Sequence, residues 1–143
     1  MRILAVDPGD RRIGLAISDE TGTIANPLSI FKHVSRPIDA ATIVQVANES
    51  SVDQIVVGQA LDDEGQPTSQ GRLAFRLAQA IRQQTHIPVV LWDESGSTRT
   101  ARDASIAMGE SAKVRRRRGH GHLDDLAATV ILQSYIDYLR FHQ

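Results

Sequence analysis

Residues Leu4–Asp19 read LAVDPGDRRIGLAISD, and the fold turns on how this stretch alternates apolar runs with turn residues. Ile3-Leu4-Ala5-Val6 is a short apolar run bounded by turn formers. It suits a buried strand, because a helix usually takes roughly ten residues or more. The run delivers an acid, Asp7, at the strand's end, and Pro8-Gly9-Asp10 supplies a turn. Ile13-Gly14-Leu15-Ala16-Ile17 reads as a second strand, so the two are expected to be antiparallel neighbours in a hairpin. Two readings of Asp7 stay open on this stretch alone. It is an oxygen ligand held at a sheet rim, or it opens the turn, a position Asp suits because its side chain bonds nearby backbone N–H groups.

Beyond the hairpin, Thr21-Gly22 makes a turn and Thr23 to Ile30 returns as a third strand, with Pro27 marking an edge or irregular position. Ser35-Arg36-Pro37 opens a helix, with Ile38, Ile43, Val46 and Ala47 as its apolar face, ending near Asn48. Gln54 to Gly58 is a β-branched run, a fourth buried strand, and Asp62 to Pro67 is loop. A helix from about Ser69 to Gln84 carries Leu73, Leu77, Ala80 and Ile81 at helical spacing. Pro88 to Trp92 is the fifth strand and ends in Asp93-Glu94. Ser97 or Thr98 caps a short helix to Met108, which Gly109 ends. A basic connector covers Glu110 to His122, and the last helix runs from about Leu123 to Phe141. Three meandering strands followed by β-α alternation predict an α/β fold: a mixed five-stranded sheet with helices on both faces.

The 143 residues suit one domain spanning 1–143. A content of 41% hydrophobic and 23% charged residues is that of a soluble globular chain. No apolar run is long enough for a membrane span, and the opening residues do not read as a signal peptide. The chain has no cysteine, which excludes disulfides and thiolate chemistry and agrees with a cytoplasmic location. Its net charge of -1 hides a segregation. Arg99, Arg102, Lys113, Arg115, Arg116, Arg117 and Arg118 face only Asp103 and Glu110 over that stretch, a local +5 that leaves -6 for the remainder. Such a patch builds a positive field despite the neutral total.

Three acids stand at the ends of elements: Asp7, Glu94 and Asp124. With Asp124 as origin at about 100° per residue, Ala128, Ile131, Tyr135, Tyr138 and Leu139 all fall within about 60° of it. Asp124 therefore sits in the middle of the apolar face, with Asp125 at its margin. An acid aimed at a sheet costs several kcal/mol unless its charge is compensated. One reading makes Asp124 a first-turn acid that caps its helix. The other gathers Asp7, Glu94 and Asp124 around metal. Carboxylates without His or Cys suit Mg²⁺ or Mn²⁺, and a pair of ions about 4 Å apart would serve phosphodiester hydrolysis. The basic segment would then hold neighbouring phosphates.

These motifs resemble the YqgF-type family, described as Holliday-junction resolvases and as pre-16S ribosomal RNA nucleases. The resemblance covers nearly the whole chain through LAVDPGDRRIGLAISD, IVVG at Ile55–Gly58, DESGST at Asp93–Thr98 and LDDLAATVILQSYID at Leu123–Asp137. It implies a ribonuclease H-like fold and a metal-dependent nuclease. The substrate it implies is structured RNA, at the 5′ end of pre-16S rRNA, or branched DNA cut by a resolvase. The family's acids fall on Asp7, Glu94 and Asp124, with Asp125 a fourth metal ligand. Candidate nucleic-acid contacts are Arg11, Arg12, Arg99, Lys113, Arg115, Arg116, Arg117 and Arg118; the alternative for the arginine run is a solvated loop. The chain departs from the family pattern at Gln59-Ala60, where Leu-Pro is usual, and at Ser95-Gly96, where Arg-Leu is usual.

Other residues keep two readings. His120 and His122 are metal ligands or a proton shuttle, or plain loop residues. Asp62, Asp63 and Glu64 are solvated loop, or one lends a further ligand. Trp92 is core. Leu126 and Val130 lie off the apolar face, under the basic loop or at a dimer contact. A resolvase should be a homodimer, because it cuts two strands symmetrically, whereas an RNA-processing enzyme can be a monomer. Competing functions are a non-catalytic nucleic-acid-binding module and an actin-like phosphotransferase, which needs two such domains. Arg99, one turn beyond Ser95, is the candidate replacement for the missing arginine. On that expectation Arg99→Ala weakens both cleavage and nucleic-acid affinity, and a variant unaltered in both measurements removes Arg99 from the site.

Overall fold

The computed structural model describes residues 1–94 and 120–142, with side chains in the last helix from residue 126 onward. Its elements run β1 (Ile3–Pro8), β2 (Arg12–Ser18), β3 (Ala25–Lys32), α1 (Arg36–Glu49), β4 (Gln54–Gln59), α2 (Ser69–Arg82), β5 (Val89–Asp93) and α3 (His120–Phe141). The expected short helix from Ser97 or Thr98 to Met108, Ser95-Gly96, Arg99, Lys113 and Arg115 to Arg118 lie outside the described residues.

The five strands form one sheet in the order β3-β2-β1-β4-β5. β1 pairs antiparallel with β2 and parallel with β4, and β4 pairs parallel with β5. This is the mixed sheet expected from a meander followed by β-α units. β3 is an edge strand, where Pro27 costs no ladder bond. Its register slips beside Pro27: Leu15 faces Ser29 but Ala16 faces Pro27, so Leu28 is bulged out.

Strand periodicity sorts the core into two layers. Leu4, Val6, Ile13, Leu15, Ile55 and Val57 pack against α1 and α2 on one face. Ile3, Ala5, Ala16 and Val56 pack against Ala128, Ile131, Leu132, Tyr135 and Ile136 of α3 on the other. The α3 face of the sheet is the face of small residues, which lets this helix lie close. Trp92 packs at its border, donating from Nε1 to Ser134 Oγ at 3.3 Å and meeting the Tyr135 ring edge-on at 5.3 Å.

Several boundaries and faces differ from the sequence expectation. Asp7 lies inside β1, opposite Gly14, and Pro8 still pairs with Ile13. α3 begins at His120 rather than Leu123. Gly121 reads as a connector residue, yet one glycine near a helix end costs only about 1 kcal/mol. Asp124 is then the fifth residue of the helix, beyond a first turn that holds no acid. In α1, Ile38 is 52% exposed while Asp39 is 2% exposed. The core face there is Ala40, Ile43, Val44 and Ala47, and Asp39 is buried because His33 and the Val34 N–H partner it. In α2, Leu73 is 40% exposed and Ala74 and Ala78 take the core positions. Small residues there allow α2 to approach β4. Among the described residues no helix is long and apolar enough to cross a membrane.

α2 approaches most closely at Gly71, where a Cβ would stand 2.2 Å from the Ala60 carbonyl oxygen. The same carbonyl accepts the Thr68 N–H at 3.0 Å and the Thr68 hydroxyl at 3.1 Å, so it cannot retreat. Gly71→Ala should lower stability by about 1–3 kcal/mol through overpacking, read as a lower urea midpoint at unchanged slope.

Candidate carboxylate site at the sheet rim

Asp7 shares the parity of Ile3 and Ala5, and Glu94 continues the parity of Val90 and Trp92, so both acids leave the sheet on the α3 face. The main chain carries Glu94 to the rim. The Glu94 N–H donates to the Gln59 carbonyl at 3.1 Å, continuing the β4–β5 ladder past Asp93. Glu94 is 8% exposed, and its Oε2 is buried without a hydrogen-bond donor among the described residues. The glycine that ends the Ile55-Val56-Val57 run makes room for it. A Cβ at Gly58 would stand 2.5 Å from Glu94 Oε2 and 2.7 Å from the Ile131 Cδ1 atom of α3.

What the Glu94 carboxyl meets is the carboxyl of Asp7. Two acids in contact cannot both stay ionised without a cation, so Glu94 holds a proton that it shares with Asp7. Burial pushes the Glu94 pKa up first. The Asp7 charge, the hydrogen bond to Asp7 and the Asp93 charge push it further, to about 8. Asp93 is thus a contributor the sequence reading passed over, although it stands next to Glu94. Gly58 is another, and its signal is a glycine closing a β-branched run, a mark of close approach.

The structure brings together Asp7 and Glu94 of the expected acids. Asp124 and Asp125 lie in α3, on the turn before Ala128 and Thr129, and their side chains fall outside the description. The buried residues Ala128, Ile131, Leu132, Tyr135 and Ile136 shift the core-facing arc of the helix toward the register of Asp125, so the arc is not centred on Asp124. His120 and His122 are helical rather than loop residues. Arg11 and Arg12 are exposed, in the hairpin turn and at the start of β2. Asp62 closes its own loop by accepting the Glu64 and Gln66 N–H groups at 2.9 Å, the solvated-loop reading. Leu126 and Val130 are half-buried. Among the described residues no group of three His, Cys, Asp or Glu is gathered in metal-binding geometry.

A five-stranded mixed sheet flanked by helices, with acids at the ends of two parallel strands on either side of β4, defines a ribonuclease H-like α/β domain. The family model described as "RuvX: Holliday junction resolvase" matches residues 1–138, and the chain belongs to the RuvX family. A relative from Thermoanaerobacter pseudethanolicus is 39% identical over 137 residues, covering 96% of each chain, and one from Anaeromyxobacter is 38% identical, covering 96% of this chain and 97% of its own. Both carry the name "Putative pre-16S rRNA nuclease". Among solved structures, Thermus thermophilus RuvC in complex with a Holliday junction substrate superposes with a TM-score of 0.62 at 16% identity, over 99% of this chain and 96% of that one. The fowlpox virus resolvase with Holliday junction DNA gives 0.55 at 15% identity, over 97% and 99%. These two likenesses establish the fold.

Because the native state holds a proton on Glu94 up to about pH 8 and the unfolded chain releases it near 4.5, the native state binds more protons between those values. With divalent ions chelated, stability should therefore fall as pH rises through this window, by an amount on the order of a few kcal/mol. Thermal melts in EDTA across the range test this, and Glu94→Gln should flatten the slope.

Proposed function

We propose that the chain is a divalent-metal-dependent nuclease that hydrolyses phosphodiester bonds in nucleic acid, with Asp7, Glu94 and Asp124 as its catalytic carboxylates and Asp125 as a further metal ligand. The observation that carries this reading is the contact of the buried Glu94 carboxyl with the half-buried Asp7. An acid 8% exposed, with Oε2 lacking any donor among the described residues and another carboxyl against it, is an arrangement that a cation relieves. The donors are hard oxygens, so Mg²⁺ or Mn²⁺ fits and zinc does not. When bound, a pair of such ions supplies an activated water and stabilises the leaving oxygen. Helical register supports Asp124, which stands two turns before Ile131, the residue whose Cδ1 closes on Gly58.

The chain's own residues then have distinct tasks. Gly58 leaves space for the Glu94 carboxylate, and Gln59 anchors its backbone. Arg11 and Arg12 stand exposed beside the hairpin of Asp7, where they can hold phosphates of the bound strand. The favoured substrate is the 5′ region of pre-16S rRNA, after the names carried by relatives over nearly their whole length. A second reading, a dimeric Holliday-junction resolvase, draws on the family description.

The test is cleavage of a pre-16S RNA fragment and of a four-way DNA junction with Mg²⁺ or Mn²⁺. Asp7→Asn should lower the rate by about 100-fold or more, on the scale of losing a key charge in a catalytic site. Binding, which rests on phosphate contacts, should survive within about threefold. Intact protein that cuts neither substrate with either ion overturns the enzyme reading and leaves a binding module.

A further inference from the structure

The sheet face opposite α3 carries a cavity of about 360 Å³ at the same rim. Pro8, Ile13, Leu73 and Leu77 give it apolar walls. His33 also lines it and is held at two points. Its backbone N–H donates to the Arg11 carbonyl at 2.8 Å, and its Nδ1 is hydrogen-bonded to Oδ2 of the buried Asp39. Asp39 Oδ1 in turn accepts the Val34 N–H at 3.0 Å. Oδ2 of this carboxylate holds the imidazole while Oδ1 is fixed by the backbone, which leaves Nε2 as the ring's remaining polar atom.

The chemistry of the lining selects a ligand. Asp10 and Asp39 stand with Arg36 in the lining, so the cavity has no cationic excess to gather a free phosphate. Apolar walls with one directed ring nitrogen suit a flat, uncharged heteroaromatic group. The volume is at the low end of small-ligand sites, which span roughly 300–1,000 Å³, and so suits a single base. The position selects its source. Pro8 and Gly9 of the wall directly follow Asp7 in the chain, so the opening lies at the rim that carries the acids, on the other face of the sheet.

We propose that this cavity is a nucleobase subsite, in which an unstacked base of the bound strand enters between Leu73 and the hairpin and meets His33, with Asp39 as the positioning residue. The inference rests on the nuclease reading for the strand, while the pocket itself is tested without cleavage. Unpaired bases in single-stranded RNA are recognised in this manner, splayed out and hydrogen-bonded on an edge.

The experiment uses the full chain in EDTA with four probes: adenosine, cytidine, ribose 5-phosphate and a single-stranded RNA 12-mer. At least one nucleoside should shift the amide resonances of Gly9 and His33, and ribose 5-phosphate should not. Leu73→Trp, at a half-exposed position, fills the mouth and should abolish the nucleoside shifts and weaken RNA binding about tenfold. His33→Gln keeps a donor for Asp39 and should weaken nucleoside binding severalfold with folding intact. No nucleoside shifts, equal shifts with ribose 5-phosphate, or unchanged RNA affinity in Leu73→Trp each overturns the subsite. Nucleoside binding that persists in a protein unable to cut any nucleic acid would instead count against the nuclease reading alone.

Discussion

Two carboxyl groups pressed together inside a protein make an unstable arrangement, and the rim of this sheet is built to impose it. Asp7 and Glu94 come from strands separated by β4, and both point to the α3 face because the side-chain period of a strand is two. Without a cation, their repulsion is relieved only by a shared proton, held on Glu94 far above its ordinary range. A hydrophobic residue at either place would pack better and cost less. The strain is tolerable because the rest of the domain overdetermines the backbone: β4 is paired in parallel with both β1 and β5, and the sheet is covered on both faces.

The small residues follow from the same constraint. Ala5, Ala16 and Gly58 line the sheet face against α3, whereas the opposite face carries Leu4, Val6, Leu15 and Val57. Bulkier residues on the α3 side would lift the helix away from the rim and open the site to water. Desolvation is the largest contribution to the Glu94 shift, so the closeness of that helix and the chemistry of the carboxyl are one property.

Most of this architecture is legible in the chain. The turn residues after Asp7, the β-branched run before Gly58 and the Asp93-Glu94 ending give the strands and the rim acids by local pattern alone. What escapes is set by partners distant in sequence. Ile38 looks like core by spacing, but Asp39 takes the interior because His33, just past the end of β3, and the Val34 N–H hydrogen-bond its carboxylate. Leu73 fits the helical stripe as well as Ala74 does, and only the closeness of Ala60 to Gly71 decides that the small residues face inward. The start of α3 was obscured because Gly121 and its histidines read as connector, although a helix already packed through Ala128 and Ile131 can extend backward through them.

The departure at Gln59-Ala60 shows which positions near the site are open to change. The family resemblance leads one to expect Leu-Pro there, and an amide followed by alanine looks like damage beside the rim acids. Yet Gln59 supports Glu94 through its carbonyl oxygen, and Ala60 holds the start of α2 through its own. Main-chain oxygens are the same for every residue, so these contacts do not depend on the side chains. The new amide finds separate employment, donating to the Gly71 carbonyl at 3.1 Å in the first turn of α2. That bond ties the end of β4 to the very helix turn that Gly71 brings close. Replacing a leucine and a rigid proline thus leaves the anchor of Glu94 in place and substitutes a polar clasp for a stiff, apolar one.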